Sequence, residues 1–119
     1  MSNHPNTILL CTLTPHGLSR KTMREILAEA GVEDGSDNDI KIGSKGYNHR
    51  VMESNYDDDY QLAAPEGSLL FFDYVTYGYG EDVLWGKLER QKNELEEWAK
   101  KVCENHKCDY KISVTANYW

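Results

Sequence analysis

Basic residues are missing from one long stretch of this chain. Between Val51 and Asp82 there is no lysine or arginine, but there are eight acidic residues. This stretch carries −8 against −7 for the whole chain, so the other residues together are close to neutral, at +1. A negative chain is disfavoured for binding to nucleic-acid phosphates or anionic lipid. We therefore expect neither nucleic acid nor a membrane as a direct ligand.

The chain also lacks long apolar runs, and its cysteines cannot all pair as disulfides. The run ILLC within TILLCTLT is too short to cross a bilayer, and no basic segment precedes an apolar stretch with a cleavage site. Three cysteines are an odd number, and free thiols fit a reducing compartment. A length of 119 residues suits one domain with its own core. The sequence predicts a soluble, cytoplasmic protein with residues 1–119 as a single domain.

The segment CENHKC comes nearest to a metal site, with Cys103, His106 and Cys108 as possible ligands. Structural zinc usually takes four ligands in two closely spaced pairs, and the sequence has no second Cys/His pair. Thiols at a helix end, with a histidine near the negative end of the helix dipole, explain the segment better. We expect no metal and no cofactor.

Hydrophobic patterns predict an alternation of strands and helices. TILLCTLT (7–14) is typical of a buried strand, and LSRKTMREILAEAGV predicts a helix with Ser19 as its N-cap and Gly31 as its stop. DIKIG predicts a short strand, and SLLFFDYVTY (68–77) a central strand. YNHRVMES and DYQLAA are possible arms of a hairpin with the aspartate run at its tip, although both alternate weakly.

The second half of the chain predicts one long helix and a final strand. From about Asp82 to His106 one helical stripe carries apolar residues, although Gly86 favours a start only at Lys87. The stripe consists of Leu84, Leu88, Leu95, Trp98, Ala99 and Val102. DYKISVTANYW alternates as a half-buried strand does. The order predicts an α+β, ferredoxin-like βαβ(β)βαβ sandwich, with an antiparallel or mixed sheet and both helices on one face.

The acidic stretch also holds five of the eight tyrosines in the chain. Tyrosine is enriched at protein interfaces because it offers a large amphipathic surface at a small entropy cost. The run SNYDDDYQ is either a solvated loop that protects a sheet edge or an anionic face for a basic protein. Calcium is a weaker alternative, because the spaced ligands and central glycine of the usual loop are missing. The expected partner-binding residues are Glu53, Tyr56, Asp57, Asp58, Asp59, Tyr60, Tyr77, Tyr79, Glu81 and Asp82.

Enzyme motifs are weak in this sequence. GYGED lacks the lysine and the glycine spacing of a phosphate loop, and His16 stands alone beside Gly17. We therefore expect no catalytic residues and a non-enzymatic inhibitor, an acidic protein that blocks a basic, nucleic-acid-acting partner. It would act as an immunity protein against a nuclease toxin or as a phage anti-defence protein such as an anti-CRISPR. The alternative is a small enzyme or metabolite-binding domain, and the sequence leaves the oligomeric state open.

Overall fold

The computed structural model of the chain describes residues 5–16, 20–29, 40–78 and 80–118. It is an α+β structure with an antiparallel sheet of five strands, a second sheet of two short strands, and two helices. In chain order the elements are β1 (Pro5–Pro15), α1 (Arg20–Glu29), β2 (Ile40–Ile42), β3 (Lys45–Val51), β4 (Tyr56–Asp57), β5 (Leu62–Ala63), β6 (Leu69–Tyr77), α2 (Trp85–Asn105) and β7 (Cys108–Tyr118).

The strand order in the large sheet is β2-β3-β6-β1-β7. β1 therefore lies between β6 and β7, and it pairs with β7 along its whole length, from Pro5 opposite Tyr118 to Pro15 opposite Cys108. The expected central position of the strand SLLFFDYVTY is confirmed. The proposed caps Ser19 and Gly31 lie outside the described residues, as do Tyr79 and Trp119.

Apolar residues that alternate along β1 and β6 fill two separate clusters, because successive strand residues point to opposite faces. On one face, Leu9 and Phe71 pack with residues of both helices, among them Ile26 of α1 and Leu95 of α2. The opposite face, here called the second face, carries a smaller cluster of Ile8, Leu10, Met52, Leu62, Leu70 and Phe72. A strand buried on both faces needs a continuous apolar run, which explains TILLCTLT.

The long helix begins earlier than Gly86 suggested, at Trp85. Leu88, Leu95, Ala99 and Val102 are buried as the stripe predicted, and Trp98 is partly buried against Phe71 with its ring edge-on at 5.1 Å. Leu84 is the exception. It is the N-cap residue, ahead of the first helical turn, and its side chain is exposed.

The hairpin expected around the aspartate run is wrong in its first arm. Residues 45–51 form β3, which pairs with β2 and β6 rather than with the chain after the aspartates. The small hairpin is made instead by β4 and β5, with Tyr56 opposite Ala63 and Asp57 opposite Leu62. Its loop holds Asp58 and Asp59, so the aspartates do lie at a hairpin tip.

Candidate protein-binding face

The segment between β3 and β6 folds back over the second face. Met52 and Leu62 are buried there against Leu70 and Phe72 of β6, and Tyr60 packs edge-on against the Phe72 ring at 4.9 Å. These apolar contacts hold the segment against the sheet. We call residues 57–60 the aspartate turn.

One arginine pairs with two of the three carboxylates in the aspartate turn. Arg50 of β3 binds Asp57 Oδ2 through Nε and Asp59 Oδ2 through Nη2, the second contact at 2.7 Å. The guanidinium also lies over the Tyr60 ring, 5.8 Å from its centroid. Its hydrogen bond with Asp57 is the main cause that raises the pKa of Arg50. Arg50 lies one residue before the stretch without basic residues, so a basic side chain reaches the aspartates although the stretch itself holds none.

Asp57 has a structural role in this turn. Its side chain is only 4% exposed, and Oδ1 accepts hydrogen bonds from the backbone N–H groups of Asp59 at 2.9 Å and Tyr60 at 3.2 Å. An aspartate that bonds to backbone groups two and three residues ahead fixes a tight turn. As the structure stands, Asp57 is not available to a partner, whereas Glu53, Tyr56, Asp58 and Asp59 are exposed. These four residues and Arg50 surround a cavity of about 200 Å³.

A row of four rings connects the aspartate turn with the other end of β6. We call it the aromatic row: Tyr60, Phe72, Tyr74 and Tyr77. Phe72 and Tyr74 have centroids 6.3 Å apart, and Tyr74 and Tyr77 stack at 4.9 Å with an interplanar angle of 25°. Tyr77 ends the row, and its side chain is 65% exposed. The row joins predicted site residues that are far apart in the sequence.

A bulge in β6 places Tyr77 in this row. Thr7 pairs with Thr76 and Ile8 with Tyr74, so Val75 has no counterpart in β1. A strand without a bulge would turn Tyr74 and Tyr77 to opposite faces, because three positions separate them. The extra residue brings Tyr77 onto the second face, where it stacks on Tyr74.

Acidic residues lie at the Tyr77 end as well. The backbone N–H of Tyr77 donates to the carboxylate of Glu81, and both Glu81 and Asp82 are exposed. Partial burial and the nearby charge of Asp73 raise the pKa of the Tyr77 hydroxyl. The aromatic row thus has exposed carboxylates at both ends. Tyr79, the remaining expected site residue, lies outside the described residues.

Sequence reasoning missed Arg50, Phe72 and Tyr74 as members of this face. The alternation of Phe72 and Tyr74 in a strand is a signal that they share a face, but nothing in the sequence shows that Tyr60 returns to pack on them. Arg50 pairs with Leu70 of β6, and this long-range register decides its position on the second face.

The residues considered for other chemistry lie elsewhere. His16 Nε2 is 3.0 Å from Asp109 Oδ2 in an exposed pair, and burial raises the pKa of the Cys11 thiol to about 12. His106 caps α2 and bonds to Glu29 of α1 at 3.0 Å. In the described part of the chain, no three His, Cys, Asp or Glu side chains converge as metal ligands would. No helix among the described residues is long and apolar enough to cross a membrane.

Comparison of the sequence and the structure with protein-family models, curated proteins and solved structures finds no match.

Proposed function

We propose that this chain is a small protein-binding inhibitor whose second face docks on a basic protein. The observation that carries the proposal is the aromatic row with exposed carboxylates at both ends. The exposed ring of Tyr77 and the partly exposed rings of Tyr60 and Tyr74 supply contact area, and the buried Phe72 supports them from below. Carboxylates select a basic partner and speed its association. This combination is favourable for protein binding and unfavourable for nucleic acid.

Arginine or lysine side chains of the partner fit this face in a specific way. A guanidinium over the exposed ring of Tyr77 gains a cation–π contact of about 0.5–2 kcal/mol. It can also reach the carboxylate of Glu81, which the Tyr77 backbone N–H already holds beside the ring. Asp58 offers a second carboxylate beyond the other end of the row. Arg50 itself, over the Tyr60 ring and paired with Asp57 and Asp59, shows the same arrangement within the chain.

The contribution of the three aspartates to this interface is unequal. Asp57 supports the turn, and Asp59 shares Arg50 with it, so Asp58 is the aspartate with an unneutralised charge in the turn. In this proposal four exposed carboxylates therefore take the place of phosphates: Glu53, Asp58, Glu81 and Asp82. The biological settings are an immunity protein against a nuclease toxin or an anti-defence protein such as an anti-CRISPR, which block a basic surface in the same manner.

The test compares two variants that lose the same charge. Asp58→Asn/Asp82→Asn removes one carboxylate beyond each end of the row, and Glu97→Gln/Glu104→Gln removes two exposed carboxylates from α2. A basic partner is first recovered from the native host with the wild-type chain and identified by mass spectrometry. We expect the first variant to associate with it about threefold or more slowly at low salt, and less so at high salt.

The α2 variant is the control for net charge. It should associate at nearly the wild-type rate, because its charges are placed away from the second face. Equal association rates for the two variants would show that the second face does not bind the partner. If no basic protein is recovered, the alternative of an enzyme or metabolite-binding domain gains support instead.

We also infer that the fold is a ferredoxin-like sandwich. That fold orders its four strands as fourth, first, third and second, with helices after the first and third. The order β7-β1-β6-β3 agrees with it if β2 is an added edge strand. Burial of Ile26 of α1 and Leu95 of α2 in one cluster supports two helices on one face. Contacts between Leu9 and both helices in nuclear Overhauser spectra would test it.

A further inference from the structure

β7 has an open outer edge that is unusually long. It is the last strand in the order of the large sheet, so in the described part of the chain only β1 pairs with it. Its eleven residues extend over about 37 Å, close to the 41 Å of the longest axis of the molecule. Edge strands are usually protected by brevity, proline, bulges or several lysines. β7 contains no proline and only one lysine, Lys111.

An apolar groove lies beside this edge, between β7 and the start of α2. Its volume is about 360 Å³, and Leu9, Leu88 and Ile112 form its floor with Trp85 and Val114 at its sides. Trp85 is 74% exposed and Val114 is 53% exposed, although the alternation of the strand predicted a half-buried valine. Exposed apolar side chains next to an unpaired strand edge are typical of an interaction surface.

The sequence of β7 is complementary to itself. In an antiparallel pair of two β7 strands centred on Ser113, Ile112 faces Val114 of the other copy, and Tyr110 faces Ala116. These apolar pairs lie on the face of the groove, because Ile112 and Val114 both line it. On the other face Lys111 is opposite Thr115, so no two like charges meet. A two-fold axis makes every such contact twice.

The charges on the rim of the groove fit the same symmetry. Glu89 and Lys92 of α2 both line the groove, and both are exposed. A two-fold axis at Ser113 sets the two copies of α2 side by side and antiparallel. In such a dimer we expect Glu89 of one copy to lie near Lys92 of the other, and the reverse pair to form as well. A partner with a single charge sign would leave one of these two side chains opposite a like charge.

We propose that the chain forms a symmetric dimer through β7, with a second copy of itself as the occupant of the groove. The two five-stranded sheets join into one sheet of ten strands, and Trp85 and Val114 become buried between the copies of α2. The aromatic row lies on the opposite face of the sheet and stays outside the dimer interface. A dimer therefore presents two copies of the second face in the same direction.

The mass of the full chain in solution tests the dimer directly. Sedimentation or light scattering from about 1 to 100 µM should show a mass moving from 13.7 kDa toward twice that value. Val114→Lys should weaken the dimer at least tenfold, because it puts a charge opposite Ile112 of the other copy. Ala63→Lys, at an exposed apolar site on β5, should leave it unchanged. A monomer at 100 µM, or a dimer that Val114→Lys leaves intact, would overturn the proposal.

Cross-linking tests the register and does not depend on Val114→Lys remaining folded. Ser113 meets its own copy at the two-fold axis, so Ser113→Cys should form a covalent dimer with oxidised glutathione. Cysteine pairs in adjacent strands lie within the distance that a disulfide needs. Thr115→Cys is the matched control, because it faces Lys111 and should stay uncoupled. Equal cross-linking of the two variants would overturn the proposed pairing.

Discussion

Arg50 lies on β3 and binds Asp57, whose side chain is only 4% exposed, from across the aspartate turn. Removing the arginine leaves a buried carboxylate without its cation. We expect Arg50→Gln to lower the free energy of unfolding by about 2–3 kcal/mol, somewhat less than for a fully buried pair because the Arg50 side chain is 43% exposed. Urea denaturation measures the change.

Asp58→Asn is the control for this effect, since Asp58 is the exposed neighbour in the same turn. Its change in unfolding free energy should stay within about 0.5 kcal/mol. If Arg50→Gln is as mild as Asp58→Asn, the ion pair contributes nothing to the turn, and Asp57 is held by its backbone hydrogen bonds alone.

Trp98 and Trp85 share α2 and differ in burial. Trp98 packs edge-on against Phe71 in the core, whereas the Trp85 side chain is 74% exposed. Trp98→Ala should cost about 3 kcal/mol of unfolding free energy, because it leaves a cavity beside Phe71. Trp85→Ala should cost less than about 0.5 kcal/mol at a concentration where the chain is monomeric. A reversal of this order in chemical denaturation would show that the core is placed on the wrong side of α2.

Replacing Gly43 or Gly86 with alanine should change the stability of the chain in opposite directions. Gly43 begins the two-residue turn between β2 and β3 with φ of +66°, and an added Cβ would meet Glu94 Oε2 at 2.6 Å. Gly43→Ala should therefore destabilise the chain by about 1–2 kcal/mol. Gly86 lies in α2 with nothing within 4 Å of its added Cβ, so Gly86→Ala should stabilise by about 0.5 kcal/mol. Thermal unfolding of both variants checks the two signs, and a stabilising Gly43→Ala would contradict the strained turn.

Cys103 and Cys108 lie with their sulfur atoms 3.2 Å apart at the end of α2. Oxidised glutathione should convert them to a disulfide, with loss of two hydrogens from the protein and release of two reduced glutathione molecules. Burial first, and then the contact with Cys108, raises the pKa of Cys103 to about 12. Because the thiolate is the nucleophile and both thiols have raised pKa values, the rate should still be rising at a pH where an ordinary thiol has reached its plateau.

Mass spectrometry of peptides gives this rate and assigns the linkage. Cys11 serves as the internal control, because it is buried in β1 and should remain a free thiol throughout. A rate that levels off near pH 9 would show that these thiols have an ordinary pKa. A Cys11 linkage would show that β1 leaves the sheet during the reaction.

Periodic segments were predictable from the sequence, and long-range pairings were not. TILLCTLT and the Leu95–Val102 stripe fix β1 and α2 because their apolar spacing matches a single element. In contrast, KGYNHRV of β3 has only Tyr47 fully buried, and it is a strand because β2 and β6 lie on either side of it. The same limit applies to the site. Arg50 of β3 reaches Asp57 and Asp59 only because the chain folds back, and the Val75 bulge decides the face of Tyr77.

The position of β1 between β6 and β7 affects how the chain folds during synthesis. Both strands that flank β1 come much later, with Leu69 opposite Leu13 and Cys108 opposite Pro15. At about 5–20 residues per second, roughly 5 to 20 s separate the synthesis of β1 from that of β7. During this interval the apolar segment TILLCTLT has no completed sheet to enter, and such late, non-local pairing slows folding. The nascent chain is therefore a candidate for chaperone binding at β1, and its yield should depend on temperature during expression.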